Sequence, residues 1–177
     1  MPSATGKGYI SYISNCDPAL DVNNKIARAN TAGEPYITGG WPGDWWLFTI
    51  PEMTKAGTVI NAKFHARASG TGMKYWMLEY YDGGEWKPGA PLQTTTVGEG
   101  DQAQTFSYNY EMMNTDHCLI DRNMTFEHAI NNGDILIRLR CMANWQASGK
   151  GALAAPNGGT HRISVQNNIN PTISIVQ

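Results

Sequence analysis

Arginine, glutamate and tryptophan are the residue types that grip polar, ring-shaped ligands. In this chain they stand at spacings that can bring them together. In "KYWMLEYY" (Lys74 to Tyr81) Trp76, Leu78 and Tyr80 alternate with Tyr75, Met77, Glu79 and Tyr81. In "DILIRLRCM" Ile135, Ile137, Leu139 and Cys141 alternate with Leu136, Arg138, Arg140 and Met142. In "AKFHARAS" Phe64, Ala66 and Ala68 alternate with Lys63, His65 and Arg67. A period of two with one apolar face marks half-buried antiparallel strands. If these strands share one sheet, His65, Arg67, Tyr75, Met77, Glu79, Arg138 and Arg140 project from the same side. Guanidinium forks and carboxylates hold hydroxyl groups in pairs, and aromatic rings stack on the apolar face of a sugar. The plainer alternative, slightly the more common use of such residues, is an Arg–Glu ladder that covers the sheet through cross-strand pairing.

The tryptophans form the second group. "GGWPGDWWLFTIP" (Gly39 to Pro51) places Trp41 in a Gly- and Pro-rich stretch that reads as a loop. Trp45 and Trp46 open a strand and must point to opposite faces. Trp46, with Phe48 and Ile50, is expected in the core and Trp45 outside, although a one-residue slip of register would exchange them. Trp145 stands in "MANWQASGKG", just where the Arg140 strand leaves its sheet, and Trp86 follows a hairpin turn. Each displayed ring is either part of a binding patch or a plug closing the end of a sandwich.

Signals of catalysis are sparse. The sequence has no HExxH, G-x-S-x-G or P-loop pattern, and His65, His117, His128 and His161 are scattered without metal-ligand spacing. A glycosidase needs two carboxylates flanking a cleft. Glu79 is eligible with Glu111 or Asp82, but nothing in the spacing specifies the pair. In Asp116-His117-Cys118 a strand would send neighbours to opposite faces, which spoils a thiol–imidazole pair. Cys16, Cys118 and Cys141 show no CxxC; Cys141 reads as a buried thiol, and one disulfide stays open.

The elements that must position these residues follow from composition. The chain has 177 residues, of which 41% are apolar and 16% charged, with 19 glycines. Charged residues are well below the usual quarter or so, and the wealth of turn residues suits a β protein. A formal net charge of −2 gives no electrostatic footprint for nucleic acid or an anionic membrane surface, and no apolar run reaches the length of a membrane span. Further strands are expected near Tyr9–Ile13, Trp45–Ile50, residues 85–87, Thr105–Glu111, Cys118–Asn123, Thr160–Val165 and Thr172–Val176. Gly, Asn, Asp and Pro clusters separate them, including a tight hairpin at Asp82-Gly83-Gly84. "DPALDVNNKIARAN" and "TFEHAINN" could hold a helical turn at most. The expectation is a single all-β domain over residues 9–177, an antiparallel β-sandwich of jelly-roll type with about nine or ten strands. Residues 1–8 form a polar leader or linker. The start "MPSATGKGYI" lacks the charged and apolar regions of a signal peptide. This fits either a cytoplasmic protein or a domain cut from an exported precursor, and the linker-like leader favours the second.

From Trp45 onward the order "WWLFTIPEMTKAGTVINAKFHARAS", "KYWMLEYYDGGEW", "NGDILIRLRCMANW" and "GGTHRISVQNNINPTISIVQ" resembles the galactose-binding-like jelly roll of many carbohydrate-binding modules. It also resembles jelly-roll domains appended to exported glycan-utilisation and lipoprotein-type proteins of gut bacteria. The likeness covers roughly Ala27 to Gln177 and is one of architecture. It implies an exported or cell-surface, non-catalytic domain of a larger protein, with a poly- or oligosaccharide as partner. Trp41, Trp45 and Trp145 would stack on the sugar, and Arg67, Glu79, Arg138 and Arg140 would hydrogen-bond it. Modules of this type often hold a structural calcium ion near the chain ends. Asp17, Asp21 and Asn23 are the candidate ligands here, although such residues more often cap turns. Two other expectations stand beside this one: a structural or adhesion module contacting a neighbouring domain, and a jelly-roll glycoside hydrolase.

Overall fold

The computed structural model describes residues 8–13, 28–29, 35–38, 42–131, 133–148, 159–167 and 169–176, with backbone only for 28–29 and 35–38. The leader 1–7, Cys16, Trp41 and the candidate calcium ligands Asp17, Asp21 and Asn23 lie outside the described residues.

The described strands are β1 (Tyr9–Ile13), β2 (Arg28–Ala29), β3 (Pro35–Thr38), β4 (Trp45–Ile50), β5 (Val59–Ala68), β6 (Tyr75–Asp82) and β7 (Glu85–Pro88). They continue with β8 (Gln93–Val97), β9 (Gln104–Tyr108), β10 (Tyr110–Glu111), β11 (Cys118–Thr125), β12 (Ile135–Cys141), β13 (Thr160–Ser164) and β14 (Thr172–Ile175). The first sheet runs β1-β4-β12-β6-β10, with β7 also paired to β6. The second runs β11-β5-β13-β3-β2, with β14 also on β5; β8 and β9 form a separate hairpin. Among β3, β4, β5, β6, β10, β11, β12 and β13 the chain crosses between sheets at every step except β6 to β10. With all pairs antiparallel, this winding is a jelly roll.

The core lies between the sheets and follows the sequence alternation. The first sheet contributes Trp46, Phe48, Trp76, Leu78, Ile137 and Leu139; β5 contributes Ile60, Ala62, Phe64, Ala66 and Ala68. Large rings on one layer thus face a strand rich in alanine on the other, so the layers close without overpacking. Phe48 and Phe64 meet across the gap with ring centroids 4.8 Å apart. Gly83 (φ +63°) and Gly84 (φ +92°) take the two left-handed positions of the β6–β7 hairpin, which a side chain would strain.

The two sheets hold six described strands each, with a further hairpin of two, where about nine or ten strands in all were expected. Three more expectations need correction. The expected strand Thr105–Glu111 is two strands, broken at Asn109. The side chain of Asn109 accepts the Leu78 N–H at 2.7 Å and donates to the Leu78 carbonyl at 3.1 Å, standing in for a strand backbone. Strands β2, β3 and β8 were not expected: β3 opens on a proline and β8 is "QTTTV", with only Val97 buried. "TFEHAINN" holds no helical turn among its described residues; Phe126 is buried, and the amides of Glu127 and His128 go to Asp82.

Candidate functional site

The expectation that three alternating strands share a sheet fails for β5. Strands β6 and β12 are neighbours in the first sheet, but β5 lies in the second. Glu79, Arg138 and Arg140 therefore share one outer face, while His65 and Arg67 lie on the opposite outside of the sandwich. Arg67 stands opposite Arg162, and its Nη2 donates to the Asn114 carbonyl.

On the first face, Arg138 is directly opposite Glu79, and Arg140 is opposite both Met77 and Trp45. Arg138 Nε donates to Glu79 Oε2 at 2.7 Å. Arg140 closes a fork on the same carboxylate, Nε to Oε2 at 2.9 Å and Nη2 to Oε1 at 3.0 Å. The side chain of Glu79 is only 6% exposed, that of Arg138 12% and that of Arg140 28%. Burial alone would raise the Glu79 carboxyl pKa. The hydrogen bonds and charges of Arg140 and Arg138 outweigh that, so it is held below the ordinary glutamate range.

Tryptophan supplies the walls. The Arg138 guanidinium carbon lies 4.0 Å from the Trp86 ring centroid and 5.2 Å from that of Trp45. Trp86 sits opposite Tyr81 on the β6–β7 hairpin, ring centroids 5.3 Å apart, and Tyr81 is exposed. The Trp45 indole N–H is buried and has no acceptor among the described residues. Trp46 points the other way and is fully buried, so the strand phase expected for this pair is the one observed.

Trp145 does not join this cluster. It packs on a smaller core of Tyr75, Val97, Tyr108 and Ala143, beneath the β8–β9 hairpin. From sequence, Trp145 and not Trp86 is expected on this face; it is the hairpin register, setting Trp86 opposite Tyr81, that brings Trp86 to Arg138.

Other polar groups have structural partners. Asp82 lies on the inner side of β6, away from Glu79. It accepts Lys87 Nζ at 3.0 Å and the amides of Glu127 and His128 at 3.1 Å, tying the β6–β7 hairpin to the loop after β11. Asp82, Glu127 and His128 could converge on a metal ion, but Lys87 already supplies the cation, bridging Asp82 and Glu127. Glu111 is engaged by Lys74 at 2.9 Å and by the Tyr108 hydroxyl at 2.9 Å. Cys118 is paired with inward Ala66, so it points away from the ring of His117 beside His65. Burial pushes the Cys118 thiol up to about 11.

One buried relay was not foreseen. Trp46 Nε1 donates to His161 Nδ1 at 3.0 Å, His161 Nε2 lies 3.4 Å from the Tyr12 hydroxyl, and Tyr12 donates to Asp44 Oδ2 at 3.1 Å. An indole N–H can only donate, so Nδ1 carries no proton and Nε2 does. His161 belongs to the second sheet and Trp46 to the first, so the relay joins the layers across the core. The alternation "THRIS" puts His161 inside; only the fold reveals its partners.

No protein-family model and no curated protein sequence matches the chain.

Proposed function

We propose that the chain is a non-catalytic carbohydrate-binding domain whose ligand lies on the outer face of the first sheet. The observation that carries this reading is the posture of Arg138. Its guanidinium lies over the indoles of both Trp45 and Trp86 and is oriented by Glu79, while among the described residues neither of its Nη atoms has a protein acceptor. Fixing a long side chain beforehand lowers the entropy lost on binding. Arg140, Tyr81 and the two indoles extend the same surface, giving a sugar both ring faces and hydrogen-bond donors. Arg67 and Trp145 have no part in it.

The chemistry of Glu79 favours binding over hydrolysis. A carboxylate kept ionised by two guanidiniums is not a proton donor at neutral pH, and three hydrogen bonds from those guanidiniums occupy most of its lone pairs. Asp82 faces the other side of β6, and Glu111 is bound by Lys74 and Tyr108. The exported or cell-surface setting follows from the resemblance to domains of exported glycan-utilisation proteins.

Tryptophan emission titrated against a panel of soluble polysaccharides tests this reading, with reducing ends assayed in parallel. A saturable shift without product is the expected result. Product formation would make the domain an enzyme. Silence across the panel would mark the face as a contact for protein.

A further inference from the structure

We infer that this face selects an anionic saccharide, one carrying a ring carboxylate, over a neutral one; the inference rests on the glycan-binding reading above. It follows from an inventory of donors and acceptors. Glu79 Oε2 receives Arg138 Nε and Arg140 Nε, and Oε1 receives Arg140 Nη2. Three of the roughly four acceptor positions of the cluster's one carboxylate are thus taken within it, and its side chain is only 6% exposed. Among the described residues, both Nη atoms of Arg138 and Nη1 of Arg140 have no protein acceptor. What the cluster leaves over is donors.

Charge points the same way. Two guanidiniums against one carboxylate leave a local excess of one positive charge, in a chain whose formal net charge is −2. A neutral pyranose asks its site for acceptors as well as donors, since each hydroxyl can do both. A carboxylate asks for donors only, and a planar guanidinium meets it with parallel bonds. Partial burial strengthens that pairing, because Arg138 is only 12% exposed with two indoles against it. A ring sulfate would satisfy the same donors without matching the planar fork.

The test is calorimetric titration of the full chain with polygalacturonate, alginate, methyl-esterified polygalacturonate, neutral galactan and a sulfated galactan. Binding of at least one uronate polymer is expected. For a chain that binds polygalacturonate, esterification should weaken it about tenfold or more. Raising salt from about 0.05 to about 0.5 M should also weaken it, as a charge contact of this kind must. Arg138→Lys keeps a cation beside Glu79 but removes the fork, and should cost about tenfold on the uronate alone. The wild-type ester and salt comparisons stand even if that variant fails to fold. Neutral galactan bound as tightly as the uronates would overturn the inference and leave the glycan-binding reading intact. Preference for the sulfated polymer would overturn the carboxylate assignment. No binding to any polymer would remove both readings together.

Discussion

Arg138 and Glu79 stand directly opposite each other on β12 and β6, with Nε 2.7 Å from Oε2, on the outer rather than the inner face of the sheet. An ion pair on an outer face is ordinarily well hydrated and worth little. This one is nearly buried, because the Trp45 and Trp86 indoles flank the arginine and Arg140 closes over the carboxylate. Its energetics are therefore those of an interior pair, in which the loss of one partner strands the other.

Glu79→Gln should destabilise the fold by about 2–4 kcal/mol, since it leaves two adjacent guanidiniums with no countercharge. Urea unfolding at neutral pH measures this, with the slope of the transition showing that the unfolded state is unchanged. A loss below about 0.5 kcal/mol would mean that the pair is screened as an ordinary surface contact.

The same carboxylate gives a pH signature. Its pKa in the fold is depressed below the unfolded value of about 4.3. The stability it contributes is therefore fully present above that value and is lost as pH falls through the folded pKa. Between pH about 5 and about 3, unfolding free energy should fall more steeply for the wild type than for Glu79→Gln. Parallel curves would contradict the assignment.

Trp145→Ala should cost stability, about 1–3 kcal/mol for a half-buried ring packed on Tyr75 and Tyr108. It should leave saccharide affinity within about twofold, whereas Trp86→Ala should lower affinity about tenfold or more. Equal losses of affinity would place the ligand nearer the β8–β9 hairpin than proposed.

For the inter-sheet relay, two-dimensional nitrogen NMR of the imidazole should show His161 Nε2 protonated and Nδ1 bare, the tautomer that the Trp46 donor requires. Trp46→Phe removes that donor and should destabilise by about 1–3 kcal/mol. A proton on Nδ1 would break the relay as described.

In a Cys16→Ser background the native protein should react slowly with a thiol reagent at pH about 8. Cys141 is fully buried and the Cys118 thiol is pushed up to about 11 by burial, so little thiolate forms. Denaturant should release both thiols. Rapid native reaction would show that β11 or β12 opens readily.

The sequence was most legible where one side of a strand is wet and the other dry. The alternation in β4, β5, β6 and β12 separated the inward from the outward side chains, down to Trp46 inside and Trp45 outside, but it missed that the outward Tyr75, Met77, Glu79 and His65 are buried as well. It could not say which strands are neighbours, because period two describes a face and not a sheet. Arg67 was grouped with Arg138 for that reason, although β5 belongs to the other layer. Strand β8 escaped notice because four polar residues carry no face to read. Asn109 was read as part of a strand because its alternation continues, while its amide replaces the backbone ladder against Leu78. Along the chain Trp145, and not Trp86, is the ring expected against the sugar. Hairpin register separates them, setting Trp86 against Arg138 and Trp145 against Tyr75 and Tyr108.

The most direct test of the account is the indole region of the proton–nitrogen NMR spectrum, with tryptophan signals assigned by single Trp→Phe variants, during addition of the saccharide found in the panel. The Trp45 and Trp86 indole signals should move in step with saturation, while those of Trp46 and Trp76, buried between the sheets, stay in place. Movement of Trp145 alone, or of none of these signals despite binding, would contradict the claim that the Glu79–Arg138–Arg140 face is the site.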